Sequence, residues 1–263
     1  MKGLICFYSG MGNTRLACRY LAQKAPSIEW TLHNIVRDGA PAVDAADIVG
    51  FATFADYLGP PRRFIDFVNS LPRQTNKPAF VFNTFGNSNG ATLRRIHSVV
   101  KARGFRVIAG HALHMPESIP TMIRLGLASA QAPNPSEMTA FNRFVAELDS
   151  LCTRVGSPDS QIPEFRLRLR ERLMPTFPRK SSKVLMGKKH VDAGLCTKCG
   201  ICALSCPYDA ITLNPLPRFD QGACYGCWAC YNKCPTKAIY TGTFRGICHY
   251  PEPLPAVKVK LRA

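Results

Sequence analysis

Apolar residues cluster in short runs at 3–8, 30–35, 47–53, 79–84 and 105–111, the length and composition of buried strands. Between them the apolar spacing lengthens to that of a helix: Leu16, Ala17, Tyr20 and Leu21 first, then positions within 61–69 and 91–102. Strands alternating with helices predict an α/β fold built on a doubly wound parallel sheet. In such sheets ligands bind beyond the carboxyl ends of the strands, near the switch in strand order. Three segments are expected at that edge, 9–14, 53–60 and 83–90. The alternation stops well before the C-terminus, where cysteine replaces aliphatic residues as the recurring feature.

Composition supports two folded parts. With 263 residues, 46% hydrophobic and 19% charged, the chain can bury a sizeable core, and its length exceeds that of most single domains. No apolar run approaches the roughly 18 to 20 residues needed to cross a bilayer, so a cytoplasmic protein is expected. Thiols stay reduced in that compartment, and twelve cysteines there point to metal ligation or redox chemistry. Only Cys6, Cys18 and Cys152 precede residue 190, and the other nine lie between Cys196 and Cys248. The expected division is a first domain over 1–150, a basic Pro-containing linker over 151–186 (Pro158, Pro163, Pro175, Pro178) and a small α+β domain over 187–263.

In that last part Cys196-x2-Cys199-x2-Cys202-x3-Cys206-Pro207 recurs 28 residues later as Cys224-x2-Cys227-x2-Cys230-x3-Cys234-Pro235. Three thiolates two residues apart can wrap one face of an iron-sulfur cubane, and the fourth ligand comes from elsewhere. In two-cluster ferredoxins the fourth cysteine of each run ligates the other cluster. On that rule one [4Fe-4S] cluster takes Cys196, Cys199, Cys202 and Cys234, and the second takes Cys224, Cys227, Cys230 and Cys206. Zinc sites of four cysteines also use two-residue gaps, but one tetrahedral ion has no use for three evenly spaced thiols. With few large aliphatics, this domain would use its clusters as core, coupling cofactor binding to folding. Cys6, Cys18 and Cys152 read as small buried residues, and Cys248 is left without a role.

The first strand runs into Ser9-Gly10-Met11-Gly12-Asn13-Thr14 and then a helix. Backbone N–H groups of such a turn and of the helix N-terminus point at an anion, and glycine clears the approach. This turn resembles the FMN phosphate loop of flavodoxins, and Asn83-Thr84-Phe85-Gly86-Asn87-Ser88-Asn89-Gly90 resembles their later loop that holds the isoalloxazine ring. Joined to the two cysteine runs, the chain is similar over nearly its whole length to the flavodoxin/ferredoxin fusion proteins known as the EFR family. The likeness includes the 104–110 strand entry, the Met115-Pro116 corner and His249-Tyr250-Pro251.

The resemblance implies an FMN on the first domain, two [4Fe-4S] clusters on the second, and electron transfer between them. Residue by residue it implies that Ser9, Gly10, Met11, Gly12, Asn13 and Thr14 hold the phosphate. Phe54, Tyr57 and Phe85 would flank the ring. Backbone N–H groups of Thr53, Ala55, Asp56, Phe85, Gly86 and Asn87 would meet its polar edges, with Asn83, Thr84 and Gly90 shaping the loop. The chain departs from a common Ser-Pro pattern by reading Thr53-Phe54-Ala55-Asp56-Tyr57. Asp56 beside the ring would disfavour negative charge there.

The formal charge of +17 falls only to roughly +11 when two oxidised clusters and a flavin phosphate are counted. Such a surface steers toward an acidic redox partner. Nucleic acid is not expected, since no recognition helix, finger or basic-aromatic face is present. The run Arg166-Leu167-Arg168-Leu169-Arg170-Glu171-Arg172-Leu173, with Phe177, could make a peripheral membrane contact, although a linker helix packed on the first domain is the favoured reading. An electron relay serving a partner enzyme is favoured over an FMN-dependent reductase acting on its own small substrate, because no nicotinamide fingerprint or proton donor is evident. The stretch 116–135 is longer than a connection needs and is the one candidate for a reductase lid; its plainer reading is chain covering the sheet edge.

Overall fold

In a computed structural model, described for residues 1–155, 162–174 and 186–262, the first strands appear where the apolar runs place them. β1 (Lys2–Phe7), β2 (Glu29–Asn34), β3 (Ile48–Phe54), β4 (Lys77–Phe85) and β5 (Phe105–His114) form one parallel sheet in the order β2-β1-β3-β4-β5. This is the flavodoxin-like doubly wound order. Helices α1 (Asn13–Lys24), α2 (Arg62–Ser70) and α3 (Thr92–Ala102) connect the strands.

The central strands are apolar at nearly every position because both faces are covered. Ile5, Phe7, Ile48, Ala52, Phe80 and Phe82 point to one core with Ala17 and Leu21 of α1. Leu4, Cys6, Val49, Phe51, Ala79 and Val81 point to the other with Phe64 and Val68 of α2 and Ile96 of α3. Gly50 makes room for a neighbour: a Cβ there would stand 2.2 Å from the Phe80 ring. Cys6, Cys18 and Cys152 are buried in these cores; burial pushes the Cys6 thiol up to about 12.

A long helix adds to the first core. After α4 (Pro120–Arg124) comes α5 (Pro135–Arg154), started by a capping box in which Asn134 Oδ1 accepts from Glu137 N at 2.9 Å and Asn134 N donates to Glu137 Oε2 at 2.7 Å. Its buried face is Phe141, Phe144, Val145, Leu148 and Cys152. The short α6 (Leu169–Leu173) follows an extended stretch in which Phe165 N donates to Val107 O at 2.8 Å and Phe165 packs over Gly110. Leu169 and Leu173 are exposed. Pro158, Pro175, Phe177 and Pro178 of the expected linker lie outside the described residues.

His111 of β5 stacks within this aromatic core, 5.0 Å from Phe144 and 5.7 Å from Phe141 between ring centroids. Burial, reinforced by Arg168, lowers its pKa from 6.5 to about 4. A histidine kept neutral in the fold takes up its proton more readily when unfolded. Its contribution is therefore intact above about pH 6.5 and is lost as pH falls toward 4, by up to about 3 kcal/mol. Denaturant midpoints taken from pH 7 to pH 5 should fall steeply for the native sequence and less so for His111→Phe. Equal slopes would assign the acid sensitivity to other groups.

The remaining elements are small: β6 (His190–Val191), α7 (Ile201–Leu204), β7 (Ile211–Asn214), β8 (Leu216–Phe219), α8 (Ala229–Lys233), β9 (Ile239–Tyr240) and α9 (Pro255–Lys260). β6 pairs with β9 and β7 with β8, both antiparallel. Their core is Met186, Cys202, Ile211, Trp228, Cys230, Tyr231, Ile239 and Phe244, with no aliphatic cluster of the kind found in the sheet.

The two compact units do not follow the contiguous blocks expected from the sequence. One consists of 1–116, the described part of 129–174, and 254–262; the other of 117–128 and 186–253. In the first, α9 buries Val257 and Leu261 in the main core, and Lys260 Nζ donates to Gln131 O at 2.7 Å and Pro133 O at 2.9 Å. In the second, Asn232 Nδ2 donates to Ser118 O at 2.9 Å, Ile119 packs on the core, and the Arg124 guanidinium lies 4.7 Å from the Phe244 ring centroid. Among the described residues no helix is long and apolar enough to cross a membrane.

Candidate functional site

Each cysteine run is launched by an aspartate turn. Asp192 Oδ1 accepts from Gly194 N at 3.0 Å and Leu195 N at 3.3 Å, and Cys196 N donates to Asp192 O at 3.0 Å. Twenty-eight residues later Asp220 repeats the pattern with Gly222 N at 2.7 Å, Ala223 N at 3.0 Å and Cys224 N to Asp220 O at 2.9 Å. Arg245 pairs with Asp192 and holds its carboxyl below the usual carboxylate range. Two left-handed residues then curl each run, Lys198 and Gly200 in the first, Gly226 and Trp228 in the second. Cys202 lies in α7 and Cys230 in α8, and both are buried. The last cysteine of each run accepts a backbone N–H four residues on, Ala210 N to Cys206 Sγ at 3.4 Å and Ala238 N to Cys234 Sγ at 3.2 Å.

The structure brings the last thiol of the first run to the first three of the second. One small recess is lined by Cys206 together with Cys224, Cys227 and Cys230. Burial pushes the Cys230 thiol up, and so do Cys227, Cys224 and Cys206, while Lys189 acts in the opposite direction. Cys202 is likewise pushed up by burial and then by Cys196 and Cys199. Cys199 is exposed and Cys234 is half-buried beside the small core. Among the described residues no three His, Cys, Asp or Glu side chains are set to hold a single metal ion. Cys248 is half-buried, with a positive φ of 55°, and lies near Tyr231, whose hydroxyl donates to Ile247 O at 2.6 Å.

The other candidate region is the carboxyl edge of the parallel sheet. The glycine-rich turn ends at Gly12, which takes a left-handed φ of 102° as N-cap of α1. The first N–H groups of a helix lack intrahelical acceptors and carry its positive end. Ser9 Oγ accepts one of them, Arg15 N, at 3.1 Å, and Asn13 Nδ2 donates to Pro116 O at 3.0 Å. Thr14 is turned inward, its buried Oγ1 lying 2.9 Å from Thr84 Oγ1 and 3.4 Å from Thr53 O. Met11 is also buried, which leaves Ser9, Gly10, Gly12 and Asn13 as the partly accessible members of the turn. Arg15 was missing from the sequence reading. Its pKa is lowered by burial and by the nearby Arg19 and Arg37 guanidinium groups, so three cations gather beside the turn. The one-turn spacing of Arg15 and Arg19 was the available signal.

After β3 the chain makes a tight hairpin. Asp56 N donates to Gly59 O at 2.7 Å, and Tyr57 and Leu58 both have positive φ, 51° and 66°. That conformation normally calls for Asn or Gly. Here Leu58 is braced by the next loop: Ala91 N donates to Leu58 O at 3.0 Å, and Gly90 (φ +53°) sits so close that a Cβ would fall 2.5 Å from Leu58 Cβ. With Ala55 N donating to Thr84 O at 2.7 Å, the Ala55 and Asp56 N–H groups are committed within the protein rather than aimed at a ligand. Asp56 is buried, and Tyr57 at the hairpin tip is half-buried. Phe54 packs on Tyr8 at 5.1 Å between centroids and approaches Gly10.

The third loop presents half-buried Phe85, stacked on His114 at 5.2 Å, while His114 Nδ1 lies 2.9 Å from Glu137 Oε1. Asn83 Nδ2 donates to Asn89 Oδ1 at 2.7 Å and pins the loop that carries Gly86 and Asn87. Thr53 and Asn83 are register partners in β3 and β4. Their Thr53 Oγ1 and Asn83 Oδ1 atoms are buried without a partner among the described residues.

Residues 195–239 match the family model of the 4Fe-4S dicluster domain. None of the curated proteins compared matches the chain. Among solved structures, oxidised flavodoxin 1 from Bacillus cereus is 19% identical, covering 57% of this chain and 98% of its own, with a TM-score of 0.43. The flavodoxin of Streptococcus pneumoniae TIGR4 gives 17%, 57%, 99% and 0.45. Rubredoxin oxygen:oxidoreductase from Desulfovibrio gigas gives 13%, 59%, 37% and 0.44. By its own strand order and its cysteine-bearing domain, the chain is a fusion of a flavodoxin-like fold and a 4Fe-4S dicluster ferredoxin-type domain.

Proposed function

We propose that this protein relays electrons between two [4Fe-4S] clusters and an FMN on behalf of a partner redox enzyme. The observation that carries the reading is the recess in which Cys206 of the first run joins Cys224, Cys227 and Cys230 of the second. That cross-run set is what two linked clusters require. The clusters supply one-electron transfer and the flavin one- or two-electron storage.

At the sheet edge the residues fit a phosphorylated flavin. The N-terminal end of α1, Ser9, the open Gly10 and Gly12, and the Arg15, Arg19 and Arg37 group favour an anion. Thr53 Oγ1 and Asn83 Oδ1 offer buried polar atoms to the chain between phosphate and ring. Phe54, Tyr57 and Phe85 offer half-buried aromatic surface for the ring.

Relay is favoured over a reductase with its own substrate because most of the candidate lid stretch 116–135, residues 117–128, belongs to the cluster-bearing unit, held there through Ser118, Ile119 and Arg124. The net charge supports an acidic partner surface met by electrostatic steering. A cytoplasmic location belongs to the same proposal, since thiolate ligation needs reduced cysteines.

The test is the cofactor content of anaerobically purified protein. About eight iron atoms per chain with stoichiometric FMN is the expected result. Full iron without flavin would withdraw the flavin half of the proposal, and zinc in place of iron would withdraw the whole.

A further inference from the structure

The 28-residue repeat that places the two cysteine runs does not extend to what surrounds them. Lys189, 2% exposed, lines the recess formed by Cys206, Cys224, Cys227 and Cys230. Its Nζ lies 4.3 Å from the Trp228 ring centroid and donates to Gly187 O at 3.2 Å and Met186 O at 3.5 Å. Gln221 clamps its backbone, with Nε2 donating to Lys189 O at 2.8 Å and Oε1 accepting from Lys189 N at 3.3 Å. The stem is therefore fixed at the root as well as at the tip.

Across the repeat, the position equivalent to Lys189 is Pro217 and that equivalent to Trp228 is Gly200. Trp228 takes a φ of 64° where Gly200 takes 75°, so a bulky side chain occupies the left-handed backbone that favours glycine. The indole is buried and supplies the aromatic face against which the ammonium rests. The first cluster site has neither group at the matching positions, and its Cys199 is exposed to solvent.

We propose that Lys189 is a positioning residue for charge, biasing one-electron reduction toward the cluster held by Cys206, Cys224, Cys227 and Cys230. This rests on the relay reading. The step takes one electron from an external reductant and no proton, and it moves the cluster with its four thiolates from a net charge of about −2 to about −3. A fixed cation in a medium of low dielectric stabilises the more negative state by more than the other. The other cluster site has Pro217 at the equivalent position and no such cation there.

The experiment is an anaerobic, dithionite-poised redox titration of the full-length holoprotein followed by electron paramagnetic resonance. Lys189→Gln, which retains a hydrogen-bond donor, and Lys189→Met are compared with Lys188→Gln, the same charge change at the exposed neighbour. One midpoint should fall in both Lys189 variants by a tenfold change in the reduction equilibrium or more, about 59 mV for one electron. The other midpoint, and both midpoints of Lys188→Gln, should stay in place. Unmoved midpoints, two midpoints moving together, or an equal shift from Lys188→Gln would overturn the inference. Loss of iron from both Lys189 variants would also overturn it, by making Lys189 a structural element. A native chain lacking two clusters would instead sink the relay reading, and its iron content tells the two failures apart.

Discussion

Replacing Cys206 with serine should empty the cluster site beside the second cysteine run while leaving the cluster of its own run in place. Cys206 is four residues past Cys202, yet it lines the recess of Cys224, Cys227 and Cys230. Removing one of four thiolates should cut iron from about eight to about four atoms per chain. One of the two cluster signals should vanish. Cys230→Ser should erase the same signal, and the double variant should lose no more than either single one, because both ligands serve one cluster. Cys202→Ser should erase the other. If Cys206→Ser resembled Cys202→Ser, the cross-run assignment would be wrong. The effect should reach the fold, because Cys202, Cys206, Cys230 and Cys234 sit in or against the small core and cluster binding there is folding energy. The Cys206→Ser protein should therefore bleach and unfold at lower denaturant than the native holoprotein.

The double variant Val257→Ala, Leu261→Ala should strongly destabilise the flavodoxin-like unit although both residues lie past the ferredoxin-type domain in sequence. Val257 is fully buried and Leu261 2% exposed, both in the core with Phe141, Leu148 and Ile5. Truncating buried aliphatics removes their transfer energy and leaves cavities, together about 4 kcal/mol. That is a large fraction of the ~5–15 kcal/mol that holds a typical domain. Denaturation followed by far-UV circular dichroism should show the sheet transition moving to lower denaturant. Release of iron to a chelator, which reports the clusters and not the flavin, should keep its midpoint. An unmoved sheet transition would remove α9 from that core.

The parallel sheet was legible because a strand buried on both faces has to be apolar at nearly every position, and β1, β3 and β4 have no other reading. The cysteine runs were legible because their spacing is fixed by chemistry. Helix α5 was missed even though Asn134, Pro135 and Glu137 spell its start, with Phe141, Phe144 and Leu148 following on one face; that signature lay within and just beyond the stretch read as a possible lid. The hairpin at 56–59 was hidden because Tyr57 and Leu58 are not residues that announce positive φ. Thr14 showed only a hydroxyl, and its inward turn depends on Thr84, far along the chain. Lys189 read as one basic residue among many. Its burial depends on Trp228 and Gln221, which no local pattern connects to it.

Because α9 returns to the unit that contains β1, both ends of the described chain belong to the flavodoxin-like unit, and the cluster-bearing unit is an insertion within it. A pulling force applied at the two ends would load the sheet and α9 first. Force applied at β1 and α9 should reach 186–253 only after Val257 and Leu261 have been drawn from their core. In a force-extension trace of the intact holoprotein, release of the short terminal helix should come before any loss of cluster colour.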